Sequence, residues 1–143
     1  MKAIATQNAP AAIGPYSQAI EANGTVYVSG QLGIDPSTGN FAEGGAVAQA
    51  RQSLTNISNI LKEAGLSMKN VVKVTVLLAD INDFAAVNEI YKDFFAAPFP
   101  ARSAFAVAAL PKGGKIEIEA IAVKKPNPTF SKGRSLGQIR FNF

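Results

Sequence analysis

The chain has 143 residues, 48% of them hydrophobic and 17% charged, which suits one domain with a filled core and excludes a disordered chain. It holds no cysteine and no histidine, which excludes disulfides, thiolate nucleophiles, Ser-His-Asp triads and imidazole or thiolate metal sites, and leaves proton transfer to carboxylates, lysine, tyrosine, backbone or water. The formal charge of +4 comes largely from Lys132, Arg134 and Arg140; residues 1–125 carry 11 basic against 10 acidic side chains, with no basic stripe of the kind that tracks nucleic acid.

Met1 to Pro10 contains no apolar run, and no stretch approaches the ~20 residues of a membrane helix, so a cytoplasmic protein is expected. The first strong element is Ser17–Ala22, then Asn23-Gly24, then Thr25–Ser29. Asn-Gly between two strand-like runs predicts a two-residue hairpin, because both positions accept φ > 0. Val26 and Val28 then face one side, and Thr25, Tyr27 and Ser29 the other. The extended run continues through Leu32 and Ile34 to a turn at Asp35–Gly39.

Residues 45–64 follow helical spacing through Val47, the Arg51 stem, Leu54, Ile57, Leu61 and Ala64, and Gly65 stands where a glycine ends a helix. Val71–Leu78 is β-branched and apolar on both faces, as a central strand requires. Asp80–Asp83 offers caps for a second helix with the stripe Phe84, Val87, Tyr91, Phe94 and Phe95, stopped by Pro98 and Pro100. Two further strands, near Arg102–Ala108 and Lys115–Val123, flank Leu110–Gly114 and are expected to form a second hairpin.

The expected fold class is α+β: a mixed sheet with two helices on one face. The other face is left uncovered within one chain, and self-association would cover it. Residues 1–125 form the expected domain. Residues 126–143 read as a tail, whether disordered, an artificial addition, or ending in a short docking strand at Arg140–Phe143.

Polar residues inside apolar segments are the candidates for chemistry. Glu117 and Glu119 share a strand face opposite Ile116 and Ile118, so each is salt-bridged or working. Arg102 opens a strand within a long uncharged stretch; it is a fork for a carboxylate or one half of an ion pair. Tyr16 follows Gly14-Pro15 and is either held over a cleft or part of the core edge. Ser29-Gly30-Gln31 presents backbone amides to a ligand or forms a bulge. Asn88 interrupts the second helix's stripe, as a ligand contact or a satisfied amide. Lys112-Gly113-Gly114 lacks a following Gly-Lys-Ser/Thr pattern and is not a phosphate loop.

Taken together, Asn8–Ala19, Val28-Ser-Gly-Gln31, Ala50–Leu54, Asp83-Phe84 with Val87-Asn88, Pro100–Ser103, and Leu110-Pro111 followed by Ile116–Val123 resemble the RidA (YjgF-type) reactive-intermediate deaminase family, over about residues 2–125. The resemblance implies a chorismate-mutase-like homotrimer with a central β-barrel, outer helices and clefts between subunits. It implies hydrolysis of 2-imino and 2-enamino acids to 2-oxo acids and ammonia, with no cofactor; the residues themselves point to no metal and no membrane, and weigh against a nucleic-acid partner. Carried over by position, Arg102 would hold the substrate carboxylate and Glu117 would position the attacking water. Tyr16, Ser29, Gly30, Asn88 and Ala104 would line the cleft; Ala104 replaces a cysteine common in the family. Glu119 is assigned a structural role. Two alternatives accompany this reading: a non-catalytic trimer that binds small metabolites, and a ribonuclease or translation inhibitor. The missing histidine and nearly neutral body weigh against the second.

Overall fold

The computed structural model describes residues 1–125; the expectations for residues 126–143 lie outside the described residues. Six strands form one sheet: β1 (Lys2–Ile4), β2 (Ala19–Ala22), β3 (Thr25–Leu32), β4 (Val71–Leu78), β5 (Ala101–Ala106) and β6 (Ile116–Val123). Their spatial order is β1-β2-β3-β6-β4-β5, with only β4 and β5 parallel. Helices α1 (Gly45–Glu63) and α2 (Phe84–Tyr91) pack against each other and share one face of this mixed sheet.

The β2–β3 hairpin turns at Asn23 and Gly24, whose φ angles of 51° and 77° suit the primed turn that strand twist favours. The inward residues Val26, Val28, Val74, Val76, Leu78, Ile116, Ile118, Ala120 and Ala122 meet Ala50, Leu54, Ile57, Ile60 and Leu61 of α1. Leu54, Ile57, Ile60 and Leu61 have no exposed surface, and each such burial contributes about 1.5–3 kcal/mol. The buried stripe of α1 is thus rotated from the expected one: Val47 is exposed and Arg51 reaches Asp93 at 3.0 Å on the surface. The cause is Gln49, Ser53 and Asn56, polar side chains buried beside the apolar row.

Each of those three ties α1 to the sheet. Ser53 Oγ donates to the Gln31 carbonyl at 2.6 Å, Asn56 Nδ2 donates to that of Ile34 at 2.9 Å, and Gln49 Oε1 accepts from the Lys115 amide at 2.9 Å. Gly33 lies so close to α1 that a β-carbon there would stand 2.4 Å from the Gln49 backbone. The end of β3 and the start of β6 are therefore clamped to α1.

The expected second hairpin does not form. After α2 the chain returns parallel to β4 as the edge strand β5, and β6 inserts between β3 and β4. Ile116 and Ile118 need neighbours on both sides to lose all exposure, whereas the small and exposed residues of β5 suit an edge. β1 is a short edge strand with no matching expectation from sequence. Ile34 lies beyond β3, in a bridge to Phe41.

The face opposite the helices carries Tyr27, Phe105 and Val123, all exposed, with Ile121 half-buried. Among the described residues no helix is long and apolar enough to cross a membrane.

Candidate active site

Glu117 sits on β6 opposite Leu32 and Leu77, on the face away from the helices. The β3–β6 register shifts between Val28 and Gln31, and this bulge bends Ser29-Gly30 out of the regular ladder. At Gly30 a β-carbon would stand 2.9 Å from Glu117 Cδ and Oε1. Only a residue without a side chain lets the carboxyl lie there undisturbed.

Tyr16, Ser29, Gly30, Glu117 and Glu119 line one cleft of about 710 Å³, closed by Ile13, Leu32, Ile34, Pro36 and Pro111. Lys112 also reaches this cleft. Its backbone takes φ 58° without being glycine. From sequence Lys112 falls away with the phosphate loop, and a lysine on an exposed turn carries no other signal for a cleft.

The Ser29 hydroxyl donates to the Ser17 carbonyl at 2.5 Å, and its amide donates to that of Gln18 at 2.9 Å. Gln18 in turn holds Thr6, Ala9 and Pro10 through its buried amide. Ser29 thus anchors the segment that presents Tyr16, which is half exposed.

Burial pushes the Glu117 carboxyl above the usual carboxylate range, and the Glu119 charge adds to the shift. Glu119 itself is exposed. The two glutamates give the cleft one carboxyl poised to accept a proton nearer neutrality than an ordinary glutamate.

Arg102, Asn88 and Ala104 lie elsewhere. Arg102 stands opposite Val74, which stands opposite Ala120. Arg102 is therefore two strands away from β6 and offset along it from Glu117, roughly 14 Å between Cα positions at ordinary strand spacing and rise. It shares the helix-side face with Val74, whereas Glu117 points to the other. Ala104, two residues on, packs against the core.

Arg102 is surrounded by an amide and two aromatic rings. Its Nη1 donates to Asn88 Oδ1 at 2.7 Å, and its guanidinium lies 4.7 Å from the Tyr91 ring centroid and 5.2 Å from that of Phe84. Among the described residues no carboxylate pairs with it. A guanidinium held by a neutral amide and two aromatic rings keeps its charge and most of its donors for an anion. Phe84 and Tyr91 are legible in the sequence only as an apolar stripe; their spacing about Asn88 on one helix face is the available signal.

Among the described residues no three acidic side chains converge to hold a metal ion.

Comparison with known proteins bears on the family and the fold. Residues 6–124 match the family described as endoribonuclease L-PSP. A goat (Capra hircus) protein named 2-iminobutanoate/2-iminopropanoate deaminase is 62% identical over 128 residues, covering 90% of this chain and 93% of that relative. The crystal structure of RidA from an Antarctic Psychrobacter superposes with a TM-score of 0.84 at 50% identity, over 87% of this chain and 100% of the other. E. coli TdcF, solved with bound serine, also gives 0.84 at 48% identity, with coverage of 87% and 100%.

Proposed function

The chain belongs to the endoribonuclease L-PSP family, that of the YjgF/RidA proteins, and on that premise we propose that it is a 2-iminobutanoate/2-iminopropanoate deaminase. It hydrolyses reactive 2-imino and 2-enamino acids to 2-oxo acids and ammonia. The names of its relatives supply the substrate class. The observation that carries the reading is the Arg102 guanidinium, which among the described residues pairs with no carboxylate and is offered beside a neutral amide.

Arg102 grips the substrate carboxylate, and Glu117 accepts a hydrogen bond from a water in the cleft. The imine carbon is already electrophilic, so neither a metal nor another cofactor is needed. Water oxygen bonds to that carbon while its proton passes to Glu117. Starting from the protonated imine, this gives an amino alcohol; Glu117 returns the proton to its nitrogen, the C–N bond breaks, and ammonia leaves as the hydroxyl proton passes back to Glu117 and the carbonyl forms. Tyr16 and the Ser29–Gly30 backbone wall the cleft.

Arg102 and Glu117 leave opposite sheet faces of one copy, so a single copy does not bring both to one small substrate. The reading therefore includes a homotrimer. The uncovered faces with Tyr27 and Phe105 line a central barrel, and each cleft takes Glu117 from one copy and Arg102 from the next. Residues 1–125 carry the activity, residues 126–143 are accessory, and the protein works in the cytoplasm.

The test generates 2-iminobutanoate in situ and follows its disappearance. Acceleration by the protein, abolished in Arg102→Ala, supports the reading. An unchanged imine decay beside tight binding of 2-oxobutanoate would make the protein a binding trimer instead.

A further inference from the structure

Helix α2 presents Phe84, Asn88 and Tyr91 at positions i, i+4 and i+7, which fall along one face. All three meet the Arg102 guanidinium. Tyr91 is buried, and its ring rests on Phe95 with centroids 4.5 Å apart, so the surface under Arg102 is firm. None of the three carries a charge. Resting on the carboxylate-clamp reading of Arg102, we propose that Phe84, Asn88 and Tyr91 form a neutral cradle that aims the guanidinium and keeps it free of an internal anion.

Asn88 is then a positioning residue that acts through Arg102. Its oxygen takes one guanidinium hydrogen and leaves the others for the carboxylate. An amide suits this place because it accepts a hydrogen bond without bringing a charge. Aspartate would offer the same oxygen at the same reach, but would form an ion pair that the substrate must displace. The rings restrict the guanidinium plane and add attraction without consuming a donor.

The experiment compares Asn88→Asp, Asn88→Ala, Phe84→Leu, Tyr91→Leu and Tyr91→Phe in the intact protein. Two readouts are taken: the dissociation constant of 2-oxobutanoate, the stable carboxylate product, and the kcat and KM for 2-iminobutanoate. Asn88→Asp is expected to weaken 2-oxobutanoate binding at least ~10-fold and to exceed Asn88→Ala, because the new carboxylate competes with the ligand for the same charged donors. Phe84→Leu and Tyr91→Leu are expected to weaken it about 2- to 20-fold, with KM following and kcat moving less. Tyr91→Phe, which keeps the ring, should recover most of that affinity. Tyr91 is buried, so if Tyr91→Leu does not fold, Phe84→Leu decides the aromatic part.

Binding within twofold of wild type in Asn88→Asp, while Arg102→Ala abolishes it, would overturn the cradle and leave the clamp standing. Unchanged binding and turnover in Arg102→Ala would overturn the clamp itself, and the cradle with it.

Discussion

The Glu117 carboxyl lies against Gly30, with Cδ and Oε1 both 2.9 Å from the place a β-carbon would occupy. Neither residue explains this approach alone. The bulge in β3 brings Gly30 over β6, and the alternation of β6 sends Glu117 toward it. Gly30 does not need a left-handed backbone, so alanine fits its conformation, and the nearest atoms its β-carbon meets all belong to the Glu117 side chain. Gly30→Ala should therefore fold with an unchanged Tm. Displacing Glu117 should lower kcat/KM by about 10- to 100-fold, the usual cost of moving a catalytic group by an ångström. A Gly30→Ala protein with full activity would show that the carboxyl need not sit there.

Removing the Glu117 carboxylate is more severe. Glu117→Gln should reduce kcat by about 10²–10⁴, the range of general-base catalysis, with a smaller change in 2-oxobutanoate binding. The intrinsic reactivity of imines pulls the value toward the lower end. Glu119→Gln is the matched control on the same strand face, and retains most of the activity.

The pH profile follows from the direction of the Glu117 shift. With Glu117 in the proposed role of base, which works when ionised, activity should rise with pH through its pKa. That pKa stands above the ordinary glutamate value because burial, and then the Glu119 charge, disfavour the carboxylate. The acid limb of kcat/KM should thus lie above the ordinary glutamate range. Glu119→Gln removes the repulsion and should move the limb to lower pH. A limb that stays fixed or moves upward would assign the titration to another group.

Tyr27 and Phe105 test the assembly. They lie half exposed on the face opposite the helices, where isolated aromatics cost solubility unless another copy covers them. Light scattering should give a trimer mass for the wild type at micromolar concentration. Phe105→Glu should give smaller species, with β5 still in place because its inward neighbours are untouched. A monomeric wild type would remove the shared cleft.

Much of this layout is legible in the sequence. The Asn23-Gly24 hairpin, the two helices and the uncovered face each have a local signal, in turn chemistry or periodicity. Glu117 and Arg102 stand out because charge in apolar strands needs a reason. Strand order is not legible: Leu110–Gly114 looks like a hairpin loop, and only the burial of Ile116 and Ile118 between two partners shows why β6 goes elsewhere. The rotation of α1 is hidden because Gln49, Ser53 and Asn56 read as surface residues until their partners on β3 and before β6 are known. The cradle of Arg102 is hidden for a similar reason. Phe84 and Tyr91 look like core, and their approach to an arginine depends on where β5 lands.

The split of Arg102 and Glu117 between opposite sheet faces gives the most direct test of the whole account. Arg102→Ala and Glu117→Gln should each be nearly inactive alone. Denatured together in equal amounts and refolded, they should form mixed trimers in which one cleft receives both intact residues from adjacent copies. With random assembly, hydrolysis of 2-iminobutanoate should recover to about a quarter of the wild-type rate. Mixed trimers, verified by native mass spectrometry, that show no recovery over the separate variants would contradict a cleft shared between copies.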